Sequence, residues 1–227
     1  MRYRFDFEAL AEYWPDFLMG ALTTLEMTAV ATVLGLLIGI LCAVGRRSPR
    51  AWLSRLCGGY VETVRNTPYL IQVFFLYFGL ASAGLRLPVL TAAILTLVVN
   101  VGAYTGEIVR AGMDTIPSGQ VEAAEALGLT RAQIYRDIIL RPALERVYPA
   151  LTSQFVLMML ASSVTSQISA EELTAVANNI TSITFRSFET YLVVAVLYLL
   201  LALLLKLAFH ALAQILFPRR RRLGTAL

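Results

Sequence analysis

Gly119-Gln120-Val121-Glu122-Ala123-Ala124-Glu125-Ala126-Leu127-Gly128 is a short, polar, helix-forming stretch set between apolar runs of membrane length. Alanine, glutamate and glutamine favour the helix, and Gly128 is placed to end it in the left-handed conformation that glycine adopts without strain. Pro117 breaks the chain ahead of the stretch, and Ser118 occupies the position of an N-cap. Past the glycine, Thr130 and Gln133 have the Thr-x-x-Gln spacing of a capping box, opening a second short helix that Pro142 closes or kinks. The loop from about residue 113 to 145 therefore reads as two short polar helices.

Outward from the loop, the chain is apolar. Its 227 residues are 58% hydrophobic and 15% charged, with a mean hydropathy of +0.69. Soluble domains carry about 25% charged residues, so the fold class is an all-α membrane protein. Charge is absent from residues 27–45, 66–85, 87–106, 147–170 and 191–205. A bilayer needs roughly 20 apolar residues at about 1.5 Å of rise each. The first four gaps suffice, and the fifth extends through Lys206 and His210 to Phe217. Five transmembrane helices are expected, over about 20–44, 59–81, 88–112, 147–164 and 188–217. Gly35 and Gly39 have a small-xxx-small spacing that lets another helix approach the first span closely. Pro68 falls in the first turns of the second span as a tolerated kink, and residues 171–174 suggest a short helix between spans four and five.

Arginine sets the orientation. Arg46, Arg47, Arg50, Arg55 and Arg65 separate spans one and two, and Arg110, Arg131, Arg136, Arg141 and Arg146 separate three and four. Residues 219–222, all arginine, follow span five, and only Arg2, Arg4, Arg86 and Arg186 fall on the other side. By the positive-inside rule the 113–145 loop and the basic tail 218–227 are cytoplasmic and the amino terminus is outside. The pI of about 9.3 then reflects topology and contact with the lipid bilayer's anionic head groups, not a nucleic-acid partner. Residues 1–19 carry Phe5, Phe7, Leu10, Tyr13, Trp14 and Phe17 among acidic residues and read as an amphipathic segment on the outer interface. They do not have the plan of a signal peptide. Cys42 and Cys57 read as two packed thiols.

The inventory excludes the common enzymes. A single histidine, His210, sits in an apolar helix without a set of carboxylate partners, which leaves no basis for a metal site or a Ser/His/Asp system. There is no Gly-x-x-x-x-Gly-Lys-Ser/Thr segment, and the sole lysine, Lys206, is intramembrane. Polar residues inside the spans are the remaining candidates. Gln72, Asn100 and Gln154 must face other helices or a watery cavity. Gln154, Met158, Ala161 and Ser162 share a helical face, and Thr67 and Ser163 are grouped with them as candidate path residues. That set either lines a small polar site or makes ordinary interhelical hydrogen bonds. Glu107 and Arg110, three apart on a helix, are placed to form an ion pair.

Four ordered segments resemble one family. Residues 119–128 and the apolar run after them resemble the "EAA" loop of permease subunits from binding-protein-dependent ABC importers. Arg65-Asn66-Thr67-Pro68 is similar to the Arg-Gly-Thr-Pro opening of the second helix in the polar amino-acid branch. Ala103-Tyr104-Thr105-Gly106-Glu107-Ile108-Val109-Arg110-Ala111-Gly112 resembles that branch's Ala-Tyr-x-x-Glu-x-x-Arg-x-Gly segment, and Glu171-Glu172-Leu173-Thr174 recurs after its fourth helix. The resemblance covers about residues 20–217. Two departures stand out. Leu140-Arg141-Pro142 replaces Leu-Pro-Gln, and Leu160-Ala161-Ser162-Ser163 replaces Lys-Asp-Thr-Ser.

The resemblance implies a type I ABC importer permease fold in a bacterial inner membrane. It makes the loop a coupling helix docked in a separate ATPase, with Gly119, Glu122, Ala123, Ala124, Glu125 and Gly128 as the coupling residues. Glu122 and Glu125 would meet the partner, and Ala123 with Ala124 would offer a low-profile surface to its cleft. The implied partners are two ABC ATPase subunits, a second permease (identical or sister) and a periplasmic amino-acid-binding protein. The substrate is a polar amino acid moved by alternating access. ATP and Mg belong to the ATPase, and this chain binds no cofactor itself. The rival readings are an ion-coupled secondary transporter, for which no carboxylate sits deep in a span, an importer permease for another small solute, and a subunit with no substrate path.

Overall fold

The structure, a computed structural model, describes residues 5–217. Arg2, Arg4 and the basic tail 218–227 lie outside the described residues. A 3₁₀ turn, Glu8–Tyr13, leads into α1, Trp14–Arg46, whose first turn takes Pro15 where a missing N–H costs nothing. There follow α2 (Ala51–Arg65), α3 (Tyr69–Ser82, with a π turn at Phe75–Gly79) and α4 (Val89–Asp114, opened by Pro88). Next come α5 (Ser118–Ala126) and α6 (Arg131–Ile168), the latter π-type over Ile134–Leu140 and 3₁₀ over Ser162–Ile168. The last two are α7 (Leu173–Thr184) and α8 (Ser187–Leu216).

Among the described residues four helices are long and apolar enough to cross a membrane: α1 with its leading turn, α4, α6 and α8. The expected second span, 59–81, is not one helix. Residues 51–65 form a separate helix, and the chain turns at Asn66 and extends at Pro68 (ψ 138°) before α3 begins. Proline disfavours helical geometry in the residue before it, and its ring cannot continue the ladder. Pro68 therefore ends one helix and opens another, where a kink was expected. The helix it opens spans only Tyr69–Ser82.

Two other local expectations also shift. Ser118 is the first residue of α5; Pro117 stands at the N-cap position and no side chain caps the helix. Pro142 does not close the second loop helix, which continues from Thr130 through the π turn into α6. The π turn ends immediately before Arg141 and Pro142, and a wide turn beside a proline is a common way to carry a helix past a missing N–H.

The scaffold rests on the contact between α1 and α4. A Cβ at Gly35 would stand 2.5 Å from Val101 Cγ1, and one at Gly39 would stand 2.5 Å from Thr105 Cγ2. Only hydrogen at both positions lets the backbones meet, as the small-residue spacing predicts. Met27, Ala31, Ala93, Leu97 and Val101 fill the adjoining core. A second core gathers Leu10, Phe17, Met159, Leu173, Ile180 and Val194. Leu10 and Phe17 are thus buried, while Phe5, Phe7 and Trp14 remain exposed. Glu172 caps α7 by accepting from Ala175 N at 2.9 Å and from Tyr198 OH at 2.6 Å. Burial raises its pKa, against the pull of these donors. The Leu173 amide donates to Thr24 Oγ1 at 3.2 Å, so α7 is folded back onto α1 and α8.

Candidate functional site

The polar loop and a recess in the apolar bundle are the two places where the candidate residues meet. In the loop, α5 ends by a paired backbone device. Leu129 N donates to Ala124 O at 3.1 Å and Gly128 N to Glu125 O at 2.9 Å, the two bonds of a Schellman motif. Gly128 has φ +77°, and a Cβ there would meet nothing within 4 Å. The need for glycine is therefore purely conformational. The capping box is present: Thr130 Oγ1 accepts from Gln133 N, and Gln133 Oε1 accepts from Thr130 N at 2.8 Å.

The exposed face of α5 differs in one respect from expectation. Gly119, Glu122, Ala123 and Glu125 are exposed, but Ala124 is only 4% exposed and packs in the core that holds Ile134 and Ile139. Ala124 is the foot of the helix, not part of a presented surface, because its helical position points it at α6. The apolar element of the exposed face is Leu127, 80% exposed. Its signal was legible as the large apolar side chain immediately before Gly128, though the sequence expectation did not include it.

The recess forms where the α2–α3 break meets α4 and α6. Thr67, Asn100, Gln154, Met158 and Ala161 line it together, so five of the eight proposed path residues converge. Arg65, Tyr69 and Tyr104 line it as well. Tyr104 lies one turn beyond Asn100 on the same face of α4, a spacing that would have placed it there. Gln72 sits behind the wall. Its amide donates to Val64 O and Thr67 O, both at 2.8 Å, and Asn100 Nδ2 donates to Gln72 Oε1 at 2.8 Å. Gln72 thereby satisfies the Thr67 carbonyl that the broken helix leaves open and adds a short bond to Val64 O, which also accepts from Thr67 N at 3.4 Å. Asn100 Oδ1 and the Tyr69 hydroxyl are buried without a hydrogen-bond partner among the described residues.

Ser162 and Ser163 do not line the recess. Ser162 is fully buried and donates to Met159 O at 2.6 Å, and Ser163 donates to Leu160 O at 2.8 Å. The row Gln154, Met158, Ala161 follows one stripe of the helix, and a further residue turns about 100° away from it.

Among the described residues, Arg65 is the only charged one that lines the recess. Its guanidinium lies 5.5 Å from the Tyr104 ring centroid and 4.0 Å from Glu107. Glu107 accepts from both Arg46 and Arg110, and Arg110 also pairs with Asp114 at 2.6 Å. The expected Glu107–Arg110 pair is thus the centre of a network joining the ends of α1, α2 and α4.

A membrane-embedded helical bundle with a glycine-terminated loop helix on one side and a polar recess within it fits a transport subunit. Residues 35–222 match the family described as binding-protein-dependent transport system inner membrane component, and the chain belongs to that family. The glutamine transport system permease protein GlnP of Escherichia coli is 35% identical over 213 residues, covering 93% of this chain and 97% of that protein. The nopaline transport system permease protein NocM of Agrobacterium fabrum is 33% identical over 205 residues, covering 86% and 85%. A solved structure of an amino acid ABC transporter with histidines superposes with a TM-score of 0.85 at 33% identity, over 93% of this chain and 99% of that one. A structure of the MetNI methionine ABC transporter in an inward-facing conformation gives 0.76 at 25% identity, over 90% and 98%.

Proposed function

We propose that this chain is the permease subunit of a bacterial inner-membrane ABC importer for a polar amino acid. The observation that carries the reading is the convergence of Thr67, Asn100 and Gln154, from three separate elements, on one recess whose only charge among the described residues is Arg65. A zwitterionic amino acid needs donors and acceptors for its carboxylate and ammonium. Arg65 supplies the first, and the unpartnered Asn100 Oδ1 is of the right chemistry for the second. Relatives named for glutamine and nopaline transport support the substrate class.

In this reading α3, with the break before it, completes a fifth crossing alongside the four long helices. The amino terminus is outside and the basic tail inside. Residues 113–145 face the cytoplasm, where Glu122, Ala123, Glu125 and the exposed Leu127 meet an ATPase. Two ATPase subunits bind ATP and Mg, a second permease completes the path, and a periplasmic binding protein delivers the substrate. Closure of the ATPases would draw the loop helices together and turn the recess from one side to the other.

The test is uptake into proteoliposomes holding permease, ATPase and binding protein. Uptake of a polar amino acid is expected with ATP and binding protein both present, and not with an imposed ion gradient alone. Gradient-driven uptake without ATP would establish a secondary transporter instead, and uptake of only a non-amino-acid solute would establish a different substrate class.

A further inference from the structure

Lys206 is the sole lysine of the chain and His210 the sole histidine, and neither takes part in the reading above. They stand one turn apart on α8 and both line a recess against Tyr148, Pro149 and Ser153 of α6. No lining residue is acidic, and among the described residues no carboxylate pairs with Lys206. An ammonium in a membrane helix ordinarily has a counter-charge. Here the described residues provide none.

Depth identifies what can. Lys206 lies about 28 Å along α8 from Ser187 at about 1.5 Å per residue. A hydrocarbon core is about 30 Å thick. The ammonium, at the end of a flexible stem, thus reaches head-group level in the leaflet at the carboxyl-terminal end of α8. The helix faces outward: only 11% of its apolar window is buried inside the chain, and Lys206 and His210 are both exposed. The recess is built, not incidental. Tyr148 OH donates to Phe209 O at 2.7 Å and its ring meets Phe217 edge-on at 5.3 Å, which fixes α6 against α8. Gln214 pairs with the His210 ring nitrogen Nε2 at 3.0 Å and orients it. Pro149, Phe209 and Ala213 give the recess an apolar floor beside its cation.

We propose that this α6–α8 recess binds an anionic phospholipid. The Lys206 ammonium pairs with the phosphodiester, the His210 ring lies beside it, and the acyl chains run along the exposed apolar face of α8. Basic pockets between transmembrane helices are the usual sites for such head groups. The inference is independent of the substrate, since it uses no residue of the central recess.

The test uses the full chain, purified in detergent with the subunits that accompany it and stripped of lipid. It is titrated in separate arms with phosphatidylglycerol, phosphatidylcholine and inorganic phosphate, with bound lipid read by native mass spectrometry and melting temperature followed in parallel. Wild type and Lys206→Arg are expected to retain phosphatidylglycerol over phosphatidylcholine, and Lys206→Met to lose about fivefold of that preference. Lys206→Gln is a second neutral variant, read the same way if the Met variant does not purify as a monodisperse protein. Equal retention of the two lipids by wild type, or an unchanged preference in the neutral variants, would overturn the proposal. So would a melting shift with inorganic phosphate alone, which marks a small-anion site, or cross-linking of Lys206 to a carboxylate of an accompanying subunit.

Discussion

The loop helix α5 and the central recess are held by opposite means. α5 packs on the rest of the chain through the buried Ala124 and the half-buried Val121, and ends in a backbone motif that needs only glycine at 128. The recess is made of side chains that also secure the fold: Gln72 holds the carbonyls of the α2–α3 break and is itself held by Asn100. Changes in α5 should therefore alter what the protein does without altering whether it folds. Changes at the recess should separate into those that touch the clamp and those that touch only the wall.

The largest effect is expected at the clamp. Gln72→Leu leaves the Thr67 carbonyl and the Asn100 amide without their partner, each costing about 1–3 kcal/mol when buried, and leaves Val64 O with only its 3.4 Å bond from Thr67 N. Both melting temperature and uptake should fall together. A variant that melts like wild type would show that the break at Pro68 is held by something other than Gln72.

Next comes Gly128→Val. The left-handed conformation costs a side-chain-bearing residue about 1–2 kcal/mol, more for a β-branched one, and no neighbour blocks the Cβ. The strain is local, so the protein should insert and remain monodisperse while ATP-driven uptake is lost. Gly128→Asn, which tolerates φ > 0, should recover part of it. Normal uptake with valine would mean that the exit angle of α5 is not used in coupling.

The same contrast explains what could be read before the structure was known. The end of α5 at Gly128, the Thr130–Gln133 box and the Gly35/Gly39 contact are set by residues close in sequence or by a fixed spacing, and all three are found. The division of the second span was missed because the uncharged run 66–85 hides the boundary. Only the proline marks it, and a proline inside a membrane helix is as often a kink as an end. The recess was half legible. Gln154, Met158 and Ala161 fall on one stripe, but Arg65 and Tyr104 join them only through the turn at Asn66, which no periodicity reports. Ser162 was misread because a face drawn for a straight α-helix was carried one residue too far, to where the helix tightens into 3₁₀ geometry.

A smaller effect on stability is expected from Gln154→Leu, on the wall and outside the clamp. Gln154 lines the recess and is only half-buried. The leucine keeps the bulk and removes the hydrogen-bonding amide. Uptake should slow with little change in melting temperature and with the ATPase still bound. A matching loss of stability would instead make Gln154 an interhelical tie like Gln72, and would erase the distinction between wall and clamp.

The smallest effect on the fold is expected from Glu122→Arg, on the exposed face of α5. Glu122 has no ion-pair partner among the described residues and lies on the side opposite the buried Ala124. Reversing its charge removes nothing that holds the chain, and arginine is as good a helix former as glutamate. Melting temperature and monodispersity should stay within error. Association with the ATPase should weaken, because a charge placed to meet the partner would now oppose it. The loss is a few kcal/mol if the residue is enclosed by the partner and far less if it sits at the rim. Recovery of ATPase in a pull-down with detergent-purified permease therefore measures both the contact and its depth. Added salt separates the two cases further, since a rim charge is screened within about 8–10 Å and an enclosed one is not. Equal recovery with wild type and Glu122→Arg, at low salt as well as high, would return Glu122 to a solvated face and leave Leu127 and Ala123 as the part of α5 that a partner could grip.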